Sequence, residues 1–149
     1  MPTLTPPPPT TLDAVERVFR RVRDVFIWTA DKEVFGKPEH WESLAHLIHA
    51  GAHQAKGDCD DFALTCLELL AEAGAPTDTL RIILCWTETD DYHCVAGVDH
   101  ESGTWILDNR QRRVLDFPDL RGYRWEKSMR LSDAGNWVYI DLLARAPAP

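Results

Sequence analysis

The chain has 149 residues, enough for one domain with a core of its own and no metal or disulfide staples. A hydrophobic share of 44% with 27% charged residues is that of a soluble globular protein, and no run of 18 apolar residues exists to span a membrane. A net charge of −8 argues against nucleic acid as the main partner, because phosphate binding needs clustered Lys and Arg.

Residues 1–10, MPTLTPPPPT, read as a proline-rich disordered tail, since consecutive prolines favour an extended polyproline II chain and cannot join a helix. The opening Met1-Pro2-Thr3 lacks the basic and apolar regions of a secretory signal, so the sequence as given predicts a cytoplasmic protein. A single domain is expected over 11–143, with a flexible tail over 144–149. From Thr11, the spacing of Leu12, Val15, Val18, Phe19, Val22, Val25 and Phe26 predicts an amphipathic helix capped by Thr11 or Asp13. A loop over Asp31–Pro38 leads to a second helix carrying Trp41, Leu44, Ala45, Leu47 and Ile48, which Gly51 weakens. A third helix runs from Cys59 to Ala73, capped by Asp58 and ended by Gly74.

Past Pro76 the pattern changes to apolar and β-branched runs. Strands are expected at Leu80–Trp86, Tyr92–Val98, Thr104–Asp108, Arg113–Leu115 and Trp137–Ile140, with a turn over Asp99–Gly103. Helices first and antiparallel strands after make an α+β plan. Basic residues gather at Arg110–Arg113, over 121–130 and on the first helix; solvated faces and a docking surface for an acidic peptide are the two readings.

Four cysteines are present without a CxxC pair, which argues against a zinc ribbon or thioredoxin-type motif. Cys66, Cys85 and Cys94 sit in apolar runs and read as buried small residues. Cys59 differs: it opens a helix, where unsatisfied N–H groups and the helix dipole stabilise a thiolate, and where its own N–H can serve an oxyanion hole. Asp58, Asp60 and Asp61 work against this by raising the thiol pKa, so a bound cation or an imidazolium must offset them. His93 opens one expected strand and Asp108 closes the next; in an antiparallel hairpin these ends can meet, and if the third helix packs its first turn there, Cys59 gains a base and the base an orienting carboxylate. A purely structural His93 is the alternative from spacing alone.

The string GDCDDFALTCLELLAEAGAPTDTLRII, the strand DYHCVAGVD and the strand ending TWILDNR resemble the active-site helix, histidine strand and aspartate strand of the bacterial transglutaminase-like cysteine peptidases. Trp41, Leu44 and Tyr123-Arg124-Trp125 fall where that family places similar residues, so the resemblance covers roughly residues 28–139. It implies a papain-like, transglutaminase-like fold, with N-terminal helices packed on an antiparallel sheet. It also implies Cys59 as nucleophile, His93 as general base and acid, and Asp108 as its orienter. Members of the family include periplasmic, calcium-dependent proteases that cut biofilm adhesins, with calcium held by acids flanking the cysteine. That points to Asp58 and Asp60 here, and hard carboxylate oxygens suit calcium. The absence of a signal and the short ends fit a compact cytosolic or phage-borne relative. Gln54, five residues before Cys59, lies near the glutamine that papain-like enzymes use as a second oxyanion donor, with a surface glutamine as the plain alternative.

A peptide or protein substrate follows, cut through a thioester. Acyl transfer to an amine, as in a transglutaminase or amidase, and a catalytically silent binding module of the same fold stay open. Asn109 is a candidate to hold the end of the hairpin. His46, His49 and His53 share a helical face and with Cys59 nearby offer a zinc alternative, against the bland reading of a solvated stripe.

Overall fold

The computed structural model describes residues 10–29 and 43–140. The two expected tails, apart from Thr10, the Asp31–Pro38 loop and the start of the second helix with Trp41 lie outside the described residues. Helix α1 (Leu12–Val25) begins at Thr11, whose side chain accepts from the Ala14 N–H at 3.2 Å, and buries Val15, Phe19 and Val22 along one stripe. Phe26 does not continue the helix. It opens a short strand β1 (Phe26–Trp28), which pairs in parallel with β2 (Ala55–Gly57), Phe26 opposite Ala55. A partner almost thirty residues away decides that switch, and helical spacing cannot register it. Between the two strands lies α2 (Ala45–His49).

Helix α3 (Cys59–Glu72) is the central element. Phe62, Ala63, Cys66, Leu67, Leu69 and Leu70 are buried as expected, and so are Asp61 and Thr65, so the helix is enclosed nearly all round. Phe62 takes edge-on contacts from Phe19 of α1 at 5.9 Å and from Phe26 of β1 at 5.0 Å, which locks three elements together. Thr65 receives the Leu44 N–H at 2.7 Å and ties in the start of α2. The C-terminus closes with a Schellman pair, Gly74 N–H to Ala71 and Ala75 N–H to Leu70, and Gly74 at φ +102° supplies the left-handed residue this needs.

The second half is one antiparallel sheet in the order β6-β5-β4-β3-β7-β8. Its strands are β3 (Leu80–Trp86), β4 (Tyr92–His100), β5 (Gly103–Leu107), β6 (Leu115–Asp116), β7 (Arg124–Arg130) and β8 (Val138–Tyr139). On β3, Leu80, Ile82 and Leu84 face the helices, while Ile83 and Cys85 face a second cluster with Val95, Ile106, Leu120, Tyr123 and Trp125. Both faces are covered, which accounts for the apolar run from Ile82 to Trp86. Cys66, Cys85 and Cys94 are buried and form no disulfide, as their surroundings predict. The architecture is α+β, N-terminal helices against a six-stranded antiparallel sheet.

Three expectations shift. Asp99 and His100 still pair with Thr104 and Gly103, so the β4–β5 turn shrinks to Glu101 and Ser102. The short strand expected at Arg113–Leu115 forms at Leu115–Asp116, because Val114 turns into the core. Strand β7 falls where only a basic stretch is visible in the sequence. Its ladder with β3 carries a bulge between Leu84 and Cys85, so the buried positions Trp125 and Ser128 are spaced by three and the period-two signal is lost.

Gly57 links β2 to α3 under tight contact. A Cβ there would come within 2.8 Å of the Asp61 Cβ and 3.2 Å of Leu44 Cδ1. The glycine therefore admits the Asp61 side chain, rather than simply leaving room around the nearby sulfur. Gly57→Ala is expected to destabilise the protein by about 1–3 kcal/mol through overpacking, read from the urea unfolding midpoint.

Candidate active site

Cys59 is the first residue of α3, behind an interlocked cap. The Asp58 carboxylate accepts from the Asp60 and Asp61 N–H groups at 3.1 and 3.3 Å, and the Asp61 carboxylate accepts from the Asp58 N–H at 3.1 Å. This is a capping box with Asp in both positions. The Cys59 sulfur lies 3.7 Å from Asp60 Oδ1 and also meets the backbone N–H of Cys94, the residue after His93. Cys59 is thus seated against the start of β4. Burial and then the Asp60 charge push its thiol above the ordinary range, with Asp58 adding to the rise and the Cys94 N–H opposing it. The lowering expected from the helix N-terminus, worth about 0.3–2 kcal/mol, is outweighed in this arrangement. In this geometry the thiol is placed to donate to the Asp60 carboxylate.

His93 and Asp108 meet as the hairpin argument predicts. The β4–β5 ladder ends at Ala96 opposite Leu107, and Asp108, one residue on, reaches back so that His93 Nε2 lies 2.7 Å from its Oδ1. Asp108 is 1% exposed and His93 6%. A carboxylate so desolvated must be matched by donors. Besides His93, Oδ1 receives the Arg110 N–H at 2.9 Å, and Oδ2 receives the Tyr123 hydroxyl. Burial alone would raise the Asp108 pKa; the His93 bond and charge, the Tyr123 hydroxyl and the Arg110 N–H together bring it below the ordinary carboxylate value.

Tyr123, Arg110 and Glu88 were not singled out by chemical motif. Tyr123 was visible only through the family resemblance. Arg110 belonged to a basic run, and it in fact bonds Tyr123 and Glu88. Asn109 does not hold the hairpin end through its carbonyl, because Oδ1 is buried without a hydrogen-bond partner among the described residues. The Arg110 N–H to the Asp108 side chain and the Gln111 N–H to the Asp108 carbonyl tie that end instead. Gln54 is exposed just before β2.

The zinc alternative is overturned among the described residues. His46, His49 and His53 are exposed, His49 Nε2 is engaged by Glu72 at 2.6 Å, and no group of three or more His, Cys, Asp or Glu residues could hold a metal. Asp58 and Asp60 offer hard oxygens suited to calcium, but two carboxylates do not complete its shell of six to eight ligands. Among the described residues no helix is long and apolar enough to cross a membrane.

Because folding makes the Asp108 carboxyl more acidic than its unfolded reference of 3.8, its contribution is complete above that value and is lost as pH falls through the lower folded pKa. Asp108→Asn is expected to cost about 1–3 kcal/mol at neutral pH and to flatten the fall in melting temperature under acid, measured by thermal melts across pH.

A family model for bacterial transglutaminase-like cysteine proteinases (BTLCP) matches residues 3–144. The structure of Legionella pneumophila LapG treated with EGTA superposes with a TM-score of 0.67 at 25% identity, covering 85% of this chain and 66% of that one. A second Legionella pneumophila LapG structure gives 0.65 at 25% identity, covering 84% and 65%. Calcium-bound LapG from the same organism gives 0.63 at 23% identity, covering 86% and 73%, a likeness of fold. The chain therefore spans just under two thirds of the length of the first two LapG chains, 66% and 65%. No curated protein matches. With nearly its whole length matched by the family model, this chain belongs to the bacterial transglutaminase-like cysteine proteinases.

Proposed function

We propose that the protein is a cysteine peptidase that hydrolyses a peptide or amide bond of a protein substrate, with Cys59 as nucleophile, His93 as general base and acid, and Asp108 as the orienting carboxylate. The observation that carries this reading is the buried His93–Asp108 pair beside the N-terminus of α3. Nε2 is committed to the carboxylate at 2.7 Å, which leaves Nδ1 as the nitrogen available to a thiol seated one residue away at Cys94.

In the resting arrangement the thiol faces Asp60. Catalysis requires the side chain to turn towards Nδ1 and pass its proton to the imidazole. The imidazolium then offsets the acids that hold the thiol pKa up, and the α3 N-terminus stabilises the thiolate. Attack of the sulfur on the carbonyl carbon places negative charge on the carbonyl oxygen, for which the Cys59 N–H is one donor and Gln54, on the segment leading into β2, is the second we assign. His93 delivers its proton to the leaving amine as the C–N bond breaks, and a thioester remains. His93 then takes a proton from water, which attacks the thioester and releases the acid and the thiol. An amine in place of that water gives acyl transfer by the same groups.

Iodoacetamide labelling of Cys59 tests the triad without a known substrate. Reaction well below pH 8 that disappears in His93→Ala is the expected result. Labelling no faster than a free thiol and indifferent to His93→Ala makes the chain a silent binding module. A peptide library, with Cys59→Ser as control, then defines the substrate.

Calcium-bound LapG supports a calcium site in this chain too, with Asp58 and Asp60 as its protein oxygens beside the nucleophile. No step above runs through the ion. Calcium is expected to raise the melting temperature and to speed Cys59 labelling by offsetting the Asp60 charge. Both effects should vanish in Asp60→Asn; melting and labelling that ignore calcium dispose of the site.

A further inference from the structure

Resting on that triad, we propose that Tyr123 is a positioning residue for it, holding Asp108 in the one orientation that serves His93, with its hydroxyl direction set by Arg110 and Glu88. A guanidinium has donors only. Arg110 Nη1 stands 2.7 Å from the Tyr123 oxygen, so that oxygen accepts, and its own proton must point to Asp108 Oδ2 at 2.5 Å. Gln111 Nε2, at 3.5 Å, approaches the same oxygen as a further donor. Glu88 anchors the guanidinium by two bonds, at 3.0 Å to Nη1 and 2.5 Å to Nη2. The run of donors is therefore one-way, from Arg110 to Tyr123 to Asp108.

The consequence falls on His93. With Oδ2 held by Tyr123 and Oδ1 shared by His93 and the Arg110 N–H, the carboxylate cannot rotate. Held ionised, Asp108 is acceptor-only, so Nε2 must donate and Nδ1 is the basic nitrogen. The Tyr123 ring also stands edge-on to the imidazole, with centroids 6.1 Å apart and planes at 87°. Its approach depends on Gly122, where a Cβ would come within 2.8 Å of the Glu88 Cβ, so the loop before β7 lies directly on the β3–β4 loop. The electrostatics agree. The Tyr123 hydroxyl is among the groups lowering the Asp108 pKa, and the Arg110 bond holds Glu88 down at about 2.

The test follows Cys59 alkylation by iodoacetamide against pH, by mass spectrometry, in the wild type, Tyr123→Phe, Glu88→Gln and His93→Ala. Without the phenolic donor Asp108 protonates at higher pH, and once neutral it no longer supports the imidazolium. In Tyr123→Phe the onset of His93-dependent reactivity is expected to move to higher pH, with the neutral-pH rate down about tenfold. Glu88→Gln, which alters an exposed side chain, should shift the onset the same way by less. An onset in Tyr123→Phe equal to the wild type, with or without a lowered melting temperature, overturns the proposal while His93→Ala still abolishes reactivity. Should Tyr123→Phe fail to fold, Glu88→Gln decides: a shifted onset supports the proposal and an unshifted one ends it. Failure of the triad itself is separately visible, as wild-type reactivity that His93→Ala leaves unchanged, and it removes the proposal as well.

Discussion

The structure turns on a carboxylate that water does not reach. Asp108 is 1% exposed, and an ionised group so desolvated survives only where donors replace its hydration. Those donors come from three places in the chain: His93 on β4, the Arg110 N–H just past β5, and Tyr123 in front of β7. The acid therefore brings together the ends of three sheet segments, and the imidazole's orientation follows from it. Removing one donor leaves the buried charge in place, so the loss is felt by the remaining partners rather than by one bond alone.

Around Cys59 the balance runs the other way. The same first turn of α3 offers a thiolate the helix dipole and surrounds it with three acids, of which Asp58 and Asp61 are committed to the capping box. Asp60 accepts from the thiol and raises its pKa, with burial as the larger cause. A helix N-terminus contributes about 0.3–2 kcal/mol at most, which burial and neighbouring carboxylates exceed here. Positive charge near the sulfur, from an imidazolium or a cation, would oppose that rise.

Family membership adds a boundary to the mechanism. The chain belongs to the bacterial transglutaminase-like cysteine proteinase family and has the LapG fold, yet it spans 66% and 65% of the first two LapG chains. In this chain the helix that opens with Cys59, the strand bearing His93 and the segment just past β5 bearing Asp108 all lie within the span the family model matches. Specificity is the property least tied to that shared part, since substrate pockets are built from loops.

What the sequence determined by itself was whatever a local pattern encodes. The stripe of Val15, Phe19 and Val22, the Asp58 cap, the Gly74 stop and the apolar runs of β3 and β4 are each read within one or two turns or a single strand, and all are found. The meeting of His93 and Asp108 was legible too, because a short connection between antiparallel strands brings those ends together. Tertiary structure alone decided the rest. Phe26 became a strand because Ala55 lies opposite it, and β7 hid behind a bulge that broke its alternation. The Tyr123–Arg110–Glu88 chain joins residues from three separate loops, so no spacing could announce it. The helix position of Cys59 favours a thiolate, while burial, which is set only by the fold, joins the neighbouring acids in pushing its pKa up. Local signals fix which groups are available; desolvation and the distances between remote segments settle their charge and orientation, and those exist only once the chain has folded.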